Sequence, residues 1–118
     1  MKYDYIIVGA GSAGCVIANR LSEDPSNEVL LLEAGGSDRR FFIQMPIGYG
    51  VTYHQKAVNW MYMTEPSPDA DNKPSYWPRG KVMGGSSSIN AMVYVRGNPK
   101  DFDQWSEAGN PGWSYSDV

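Results

Sequence analysis

The glycines of Gly9-Ala10-Gly11-Ser12-Ala13-Gly14 stand at a spacing that suits a turn around a pyrophosphate. Gly9 permits a tight exit from a strand, Gly11 lets the backbone approach a phosphate with no Cβ in the way, and Gly14 lets a helix pack closely on the strand. A helix starting at Ser12 points its first N–H groups and a partial positive charge at the same phosphates. Glu33 closes a later apolar run, where its carboxylate can accept hydrogen bonds from ribose hydroxyls and would repel a 2′-phosphate. NADP is therefore disfavoured. FAD and NAD both carry an ADP moiety, and this pattern does not choose between them.

These residues need elements to position them. Tyr5-Ile6-Ile7-Val8 reads as a buried strand, short and apolar on both faces as in a parallel sheet. A helical pattern follows over residues 12–22, with Val16, Ile17, Ala18 and Leu21 inward, and Glu23-Asp24-Pro25-Ser26-Asn27 breaks it. Val29-Leu30-Leu31-Leu32 reads as a second buried strand. Residues 4–36 thus form one βαβ unit of an α/β fold, Rossmann-like in pattern. Residues 37–78 lack clean periodicity. Their Gly, Pro and aromatic content (Phe41, Phe42, Tyr49, Tyr53, Trp60, Tyr62) suits an ordered, loop-rich excursion that packs on a ligand or a second domain.

A second glycine-rich stretch, Gly80-Lys81-Val82-Met83-Gly84-Gly85-Ser86-Ser87-Ser88-Ile89-Asn90, opens the segment 79–103. Val93-Tyr94-Val95 reads as a short strand. Asn98 and Pro99 cap a helix over residues 100–108, Gly109 stops it, and Ser114 or Ser116 opens another. Two parallel strands with one crossover leave both sheet edges unpaired and one face uncovered. The expectation is a fragment of a larger protein that supplies the covering elements.

Composition narrows the function classes. The chain of 118 residues is 42% hydrophobic with a net charge of −3, which fits a globular domain and disfavours nucleic-acid binding. The apolar run at the N-terminus is far too short for a signal segment or a membrane span, so a soluble, cytoplasmic protein is expected. The single cysteine, Cys15, cannot make an internal disulfide or a cysteine-based metal site and reads as a small packing residue; no metal is expected. The single histidine, His54, reads as a solvated loop residue. Arg79 and Lys81 flank the second glycine stretch and are candidate phosphate contacts.

Residues 80–97, with Asp103 trailing, resemble the first signature of the glucose–methanol–choline (GMC) oxidoreductases. The opening Tyr3-Asp4-Tyr5, the turn Glu33-Ala34-Gly35-Gly36, the pair Asn59-Trp60 and the run Tyr76-Trp77-Pro78-Arg79-Gly80 are similar to that family too, nearest its choline-dehydrogenase-like branch. The resemblance implies FAD, with its ADP end on Gly9, Gly11, Ser12, Gly14, Glu33 and Ala34 and its flavin end near the second motif. Gly84-Gly85 would let backbone approach a flat ring, and Ser86 to Ser88 would offer hydroxyls and N–H groups. Val82, Asn90, Ala91, Met92 and Val93 would line the flavin, and Trp60 would pack near it.

Ile89 stands where some members carry the histidine that bonds FAD covalently, so non-covalent FAD is implied; Met83 replaces the usual aliphatic residue. The implied reaction is hydride transfer from the CH–OH group of a small-molecule alcohol to the flavin. The family's catalytic histidine lies in its C-terminal part, and no catalytic residue is assigned within this sequence. Two other readings stay open: an NAD-linked dehydrogenase domain and a non-catalytic nucleotide-binding module. Substrate identity, oxidase or dehydrogenase chemistry and oligomeric state are not legible here.

Overall fold

Tyr5–Val8 forms β1 and Val29–Leu32 forms β2, paired in parallel with Tyr5 opposite Val29 and Val8 opposite Leu32 in a computed structural model that describes residues 2–118. Asp4 sets the register at the open end: its N–H donates to the Glu28 carbonyl at 2.9 Å and its carboxylate accepts from Glu28 N–H at 3.0 Å. The crossover is α1, Ser12–Leu21. It ends at a turn in which Asp24 Oδ1 accepts from the Ser26 hydroxyl and amide at 2.7 and 2.9 Å, and those two bonds hold the Asp24 carboxyl below its ordinary pKa.

Burial departs from expectation. Ile6 is 60% and Val8 83% exposed, and the inward residues of α1 are half open, Val16 at 59% and Ile17 at 48%. The cause is geometric: a two-stranded sheet with one helix on it has an uncovered face, so apolar residues suited to a buried parallel strand stand open.

The middle of the chain carries short elements: α2 (Phe41–Gln44), a 3₁₀ turn (Pro46–Gly48), α3 (Tyr49–Thr52) and an antiparallel pair, β3 (Tyr62–Met63) with β4 (Tyr76–Trp77). Between this excursion and the βαβ unit runs the second glycine stretch. Lys81 N–H donates to Val58 O at 2.8 Å, Met83 N–H to Gly36 O at 2.9 Å and Gly84 N–H to Ala10 O at 2.8 Å. The stretch is thus stitched to the excursion on one side and to the turns after β2 and β1 on the other. Val58, Val82 and Ile89 form the buried core at this junction, with Ile43 packed against them.

The strand expected at Val93-Tyr94-Val95 does not form. The segment has no partner strand among the described residues, and Tyr94 is 88% exposed. β-branched composition suits a pleated surface but does not supply the ladder partner. The expected helix is α4, Pro99–Glu107, with Asn98 Oδ1 accepting from Lys100 N–H at 3.1 Å. Asn98→Ala should lower the stability of the protein by about 1 kcal/mol, read as a shift in the urea midpoint. Phe102 and Trp105 of α4 form an aromatic cluster with Trp113 and Tyr115 beyond it, and Asp103 Oδ1 accepts from Tyr115 N–H at 3.0 Å. The helix expected after Ser114 is only a turn, closed by Val118 N–H on Ser114 O at 3.1 Å. Among the described residues no helix is long and apolar enough to cross a membrane.

Candidate functional site

The C-terminal ends of β1 and β2 open onto a cavity of about 640 Å³. Its walls come from both glycine motifs and from the excursion: Gly9, Gly11, Glu33, Trp60, Arg79 and Gly85 among others. An open parallel sheet binds ligands at this end, where strand termini and helix N-termini converge.

Each glycine of the first motif has its own reason. Gly9 adopts φ +95°, a left-handed conformation that costs other residues about 1 kcal/mol or more. Gly14 lies against the Gly9 carbonyl, which a Cβ would strike, so its absence lets α1 close onto β1. Gly11 differs: its φ is −77°, which any residue adopts, and a Cβ there would meet no protein atom within 4 Å. Among the described residues nothing requires glycine at position 11, which lines the cavity. With no Cβ there, the backbone stays open to the cavity. The first turn of α1 also has no side-chain cap from Gly11, which leaves its N–H groups available beside the cavity.

Glu33 has a structural task. Its Oε2 accepts from Ala10 N–H and its Oε1 from Gly35 N–H, both at 2.8 Å. The carboxylate therefore ties the turn after β1 to the turn after β2, and each oxygen keeps a lone pair for a further donor. Ala34 lines the cavity next to it.

The second motif packs backbone on backbone against the first. Gly85, buried and with φ +59°, sits so close to Gly11 that a Cβ on it would come within 2.9 Å of Gly11 Cα. The three serines are mostly committed within their own loop. Ser86 Oγ accepts from Gly80 N–H at 3.1 Å, Ser87 Oγ donates to Gly84 O at 2.6 Å and Ser88 Oγ donates to Met83 O at 2.7 Å. Their first role here is to fold the loop, while Ser86 also reaches the cavity wall.

The excursion supplies the aromatic wall. Trp60 and Tyr62 stack in parallel with centroids 5.9 Å apart, and Lys81 Nζ lies 4.6 Å from the Trp60 ring. Arg79 lies over Trp77 at 4.7 Å and donates to Pro78 O at 2.7 Å while lining the cavity. Both cations are near enough to add positive charge to the site.

The expected site residues thus divide. Gly9, Gly11, Glu33, Ala34, Trp60, Gly85 and Ser86 share one cavity, with Ser12 and Gly14 in the adjoining first turn of α1. Val82 stands elsewhere: the whole residue is buried in the core and lines none of these cavities. Asn90 and Met92 line a smaller cleft of about 220 Å³ against α2 and Tyr49. Asn90 and Ala91 border another of about 260 Å³, in which Ser86 and Arg79 also take part, so it adjoins the main cavity. Val93 is 76% exposed and lines none of these. Tyr62, read from the sequence only as one aromatic of the excursion, also lines the cavity; nothing in its irregular surroundings separates a wall residue from a packing one. His54 stacks on Tyr76 at 6.0 Å and does not line the cavity. Among the described residues no cluster of His, Cys, Asp and Glu could hold a metal.

The family model for GMC oxidoreductase matches residues 3–118. An oxygen-dependent choline dehydrogenase from Vibrio vulnificus strain YJ016 is 58% identical over 113 residues, which cover 96% of this chain and 20% of that protein. Among solved structures, pyridoxine 4-oxidase from Mesorbium loti superposes with a TM-score of 0.75 at 39% identity, covering 98% of this chain and 23% of that one. An FAD-dependent oxidoreductase from Chaetomium thermophilum gives a TM-score of 0.65 at 36% identity over 98% of this chain and 20% of that one. The chain therefore spans about a fifth of the length of such relatives.

Proposed function

The chain belongs to the GMC oxidoreductase family, and we propose that it forms the cofactor-holding part of an FAD-dependent enzyme that oxidises the CH–OH group of a small-molecule alcohol. The observation that carries this reading is Gly11: a glycine on the cavity wall that the conformation and packing of the described residues do not require. A similar protein is named as FAD-dependent and another as a choline dehydrogenase, and both names agree with the reading.

The residues fit the group. In this reading residues 4–36 are a Rossmann-type unit for the ADP moiety. The N–H groups of α1 face the pyrophosphate, and Glu33 accepts from the ribose through its remaining lone pairs. Residues 37–78 form the aromatic wall, and residues 79–103 lead toward the flavin, with Gly84-Gly85 close to its ring. FAD when bound supplies the hydride acceptor. The chain's own work is to bind, to orient and to exclude water: Trp60 and Tyr62 offer a flat apolar surface, and Arg79 and Lys81 offset phosphate charge. Attachment is non-covalent in this reading, supported by Ile89, an unreactive side chain 6% exposed in the core. The base that takes the hydroxyl proton is assigned to the enzyme outside this segment, since His54 stands apart from the cavity. A cytoplasmic setting belongs to the same reading, supported by the lone cysteine.

The test is the flavin content of the purified full-length protein. Stoichiometric FAD, released intact by acid, is expected, and an alcohol should bleach its oxidised absorbance under anaerobic conditions. Colourless protein that binds NADH tightly would instead favour a nicotinamide enzyme.

A further inference from the structure

Asn59 is fully buried and its side-chain amide is saturated. Nδ2 donates to Tyr53 O at 2.8 Å and to Tyr76 Oη at 3.2 Å. Oδ1 accepts from Met61 N–H and from Arg79 N–H, both at 2.9 Å. All four valences of the amide are used, and they reach three separate stretches of chain.

The two halves of the amide do different things. The acceptor half shapes the cavity wall. The bond from Met61 N–H closes a turn with Trp60 at its centre, and Met61 is held at φ +57°, which a side-chain-bearing residue adopts only under such constraint. The bond from Arg79 N–H fixes the opposite strand, and Trp60 N–H returns the contact by donating to Arg79 O at 2.8 Å. Trp60 and Arg79, both cavity residues, are therefore held about one oxygen atom. The donor half bonds Tyr53 and Tyr76, neither of which lines the main cavity, and these two also bond each other, Tyr76 Oη to Tyr53 O, at 2.6 Å.

We propose that Asn59 is a positioning residue for the cofactor: its Oδ1 sets the Trp60 indole and the Arg79 backbone in the cavity wall, while its Nδ2 serves only the fold. This rests on the FAD reading of the cavity. Asn59 touches no cavity space itself, so it acts through Trp60 and Arg79.

The halves can be separated in the full-length protein by titrating apoprotein with FAD and by melting each apoprotein. Asn59→Ala removes both halves and should raise the FAD dissociation constant about tenfold or more, as loss of a buried hydrogen bond implies. Tyr76→Phe leaves the amide and both acceptor bonds in place and removes one partner of Nδ2. It should melt earlier than wild type yet hold FAD within about threefold of it, since Tyr76 does not line the main cavity. If N59A binds FAD as wild type does, or if Y76F loses as much affinity as N59A, the proposal is overturned and Asn59 is a structural residue only. Should N59A fail to fold, Asn59→Ser replaces it: the shorter hydroxyl can reach Met61 N–H but not Arg79 N–H. N59S should weaken FAD binding, and wild-type affinity in N59S overturns the proposal. A wild-type protein that takes up no FAD would remove the parent reading instead, an outcome visible before any variant is compared.

Discussion

Gly11→Ala should leave the apoprotein's stability within about 1 kcal/mol of wild type and weaken FAD binding roughly tenfold to a hundredfold. The two halves of that expectation have separate grounds. The backbone at Gly11 lies at φ −77°, and an added Cβ meets no protein atom within 4 Å, so the fold has no objection to a side chain. Alanine is a poorer N-cap than glycine by some tenths of a kcal/mol, while its stiffer unfolded chain offsets this. In the proposed FAD reading the ligand does object: a pyrophosphate drawn to the first turn of α1 would come within contact of the Gly11 backbone, and a methyl there would hold it off. Gly11→Val should be worse, because its branches fill more of the same space. Thermal melts of the apoproteins and FAD titrations read the two effects independently. Wild-type affinity in Gly11→Ala would mean that the phosphates do not pass Gly11, and the orientation proposed for the cofactor would have to be reversed or abandoned.

Legibility in the sequence followed the range of the interactions involved. β1, α1 and β2 were readable because their signals are local: an apolar run, a glycine turn, a helical period and a breaking turn at Asp24. α4 was readable because Asn98 and Pro99 mark its start by chemistry confined to its first turn. The strand at Val93-Tyr94-Val95 was misread because pairing is not local; the residues suit a strand, and no neighbour among the described residues completes one. Burial of β1 and α1 was not legible for a related reason, since it depends on what packs on the sheet's open face and not on local signals. Asn59 was quoted only as part of a family likeness. Its partners Tyr53, Tyr76 and Arg79 lie at irregular separations, with no period to reveal them. Ser87 and Ser88 carry a task the sequence did not reveal: their hydroxyls donate to carbonyls of their own loop.

The adjacent glycines Gly35 and Gly36 give a sharper contrast than any pair of polar residues. A Cβ on Gly35 would overlap the Lys81 carbonyl and Val82 N, while one on Gly36 would only touch a nitrogen of the Arg40 side chain at 3.8 Å, ordinary contact. The atoms facing Gly35 are backbone, so they cannot swing aside as a flexible side chain can. They belong to the stretch stitched to Gly36 through Met83 N–H and to Ala10 through Gly84 N–H. Gly35→Ala must therefore pry the second motif from the first. The cost should exceed about 3 kcal/mol, a large part of the marginal stability of a folded domain. Gly35 N–H also donates to Glu33, so the displacement would drag the carboxylate that joins the two turns. Gly35→Ala in the full-length protein should give little soluble material and no bound flavin, while Gly36→Ala should express, melt and bind FAD like wild type. If both variants behaved alike, the close docking of the two glycine motifs would not be what builds the cavity. If only Gly35→Ala failed, the second motif would be a structural wall of the nucleotide site as well as a flavin contact. That would explain why a loop of small residues lies so far along the chain from the turn it completes.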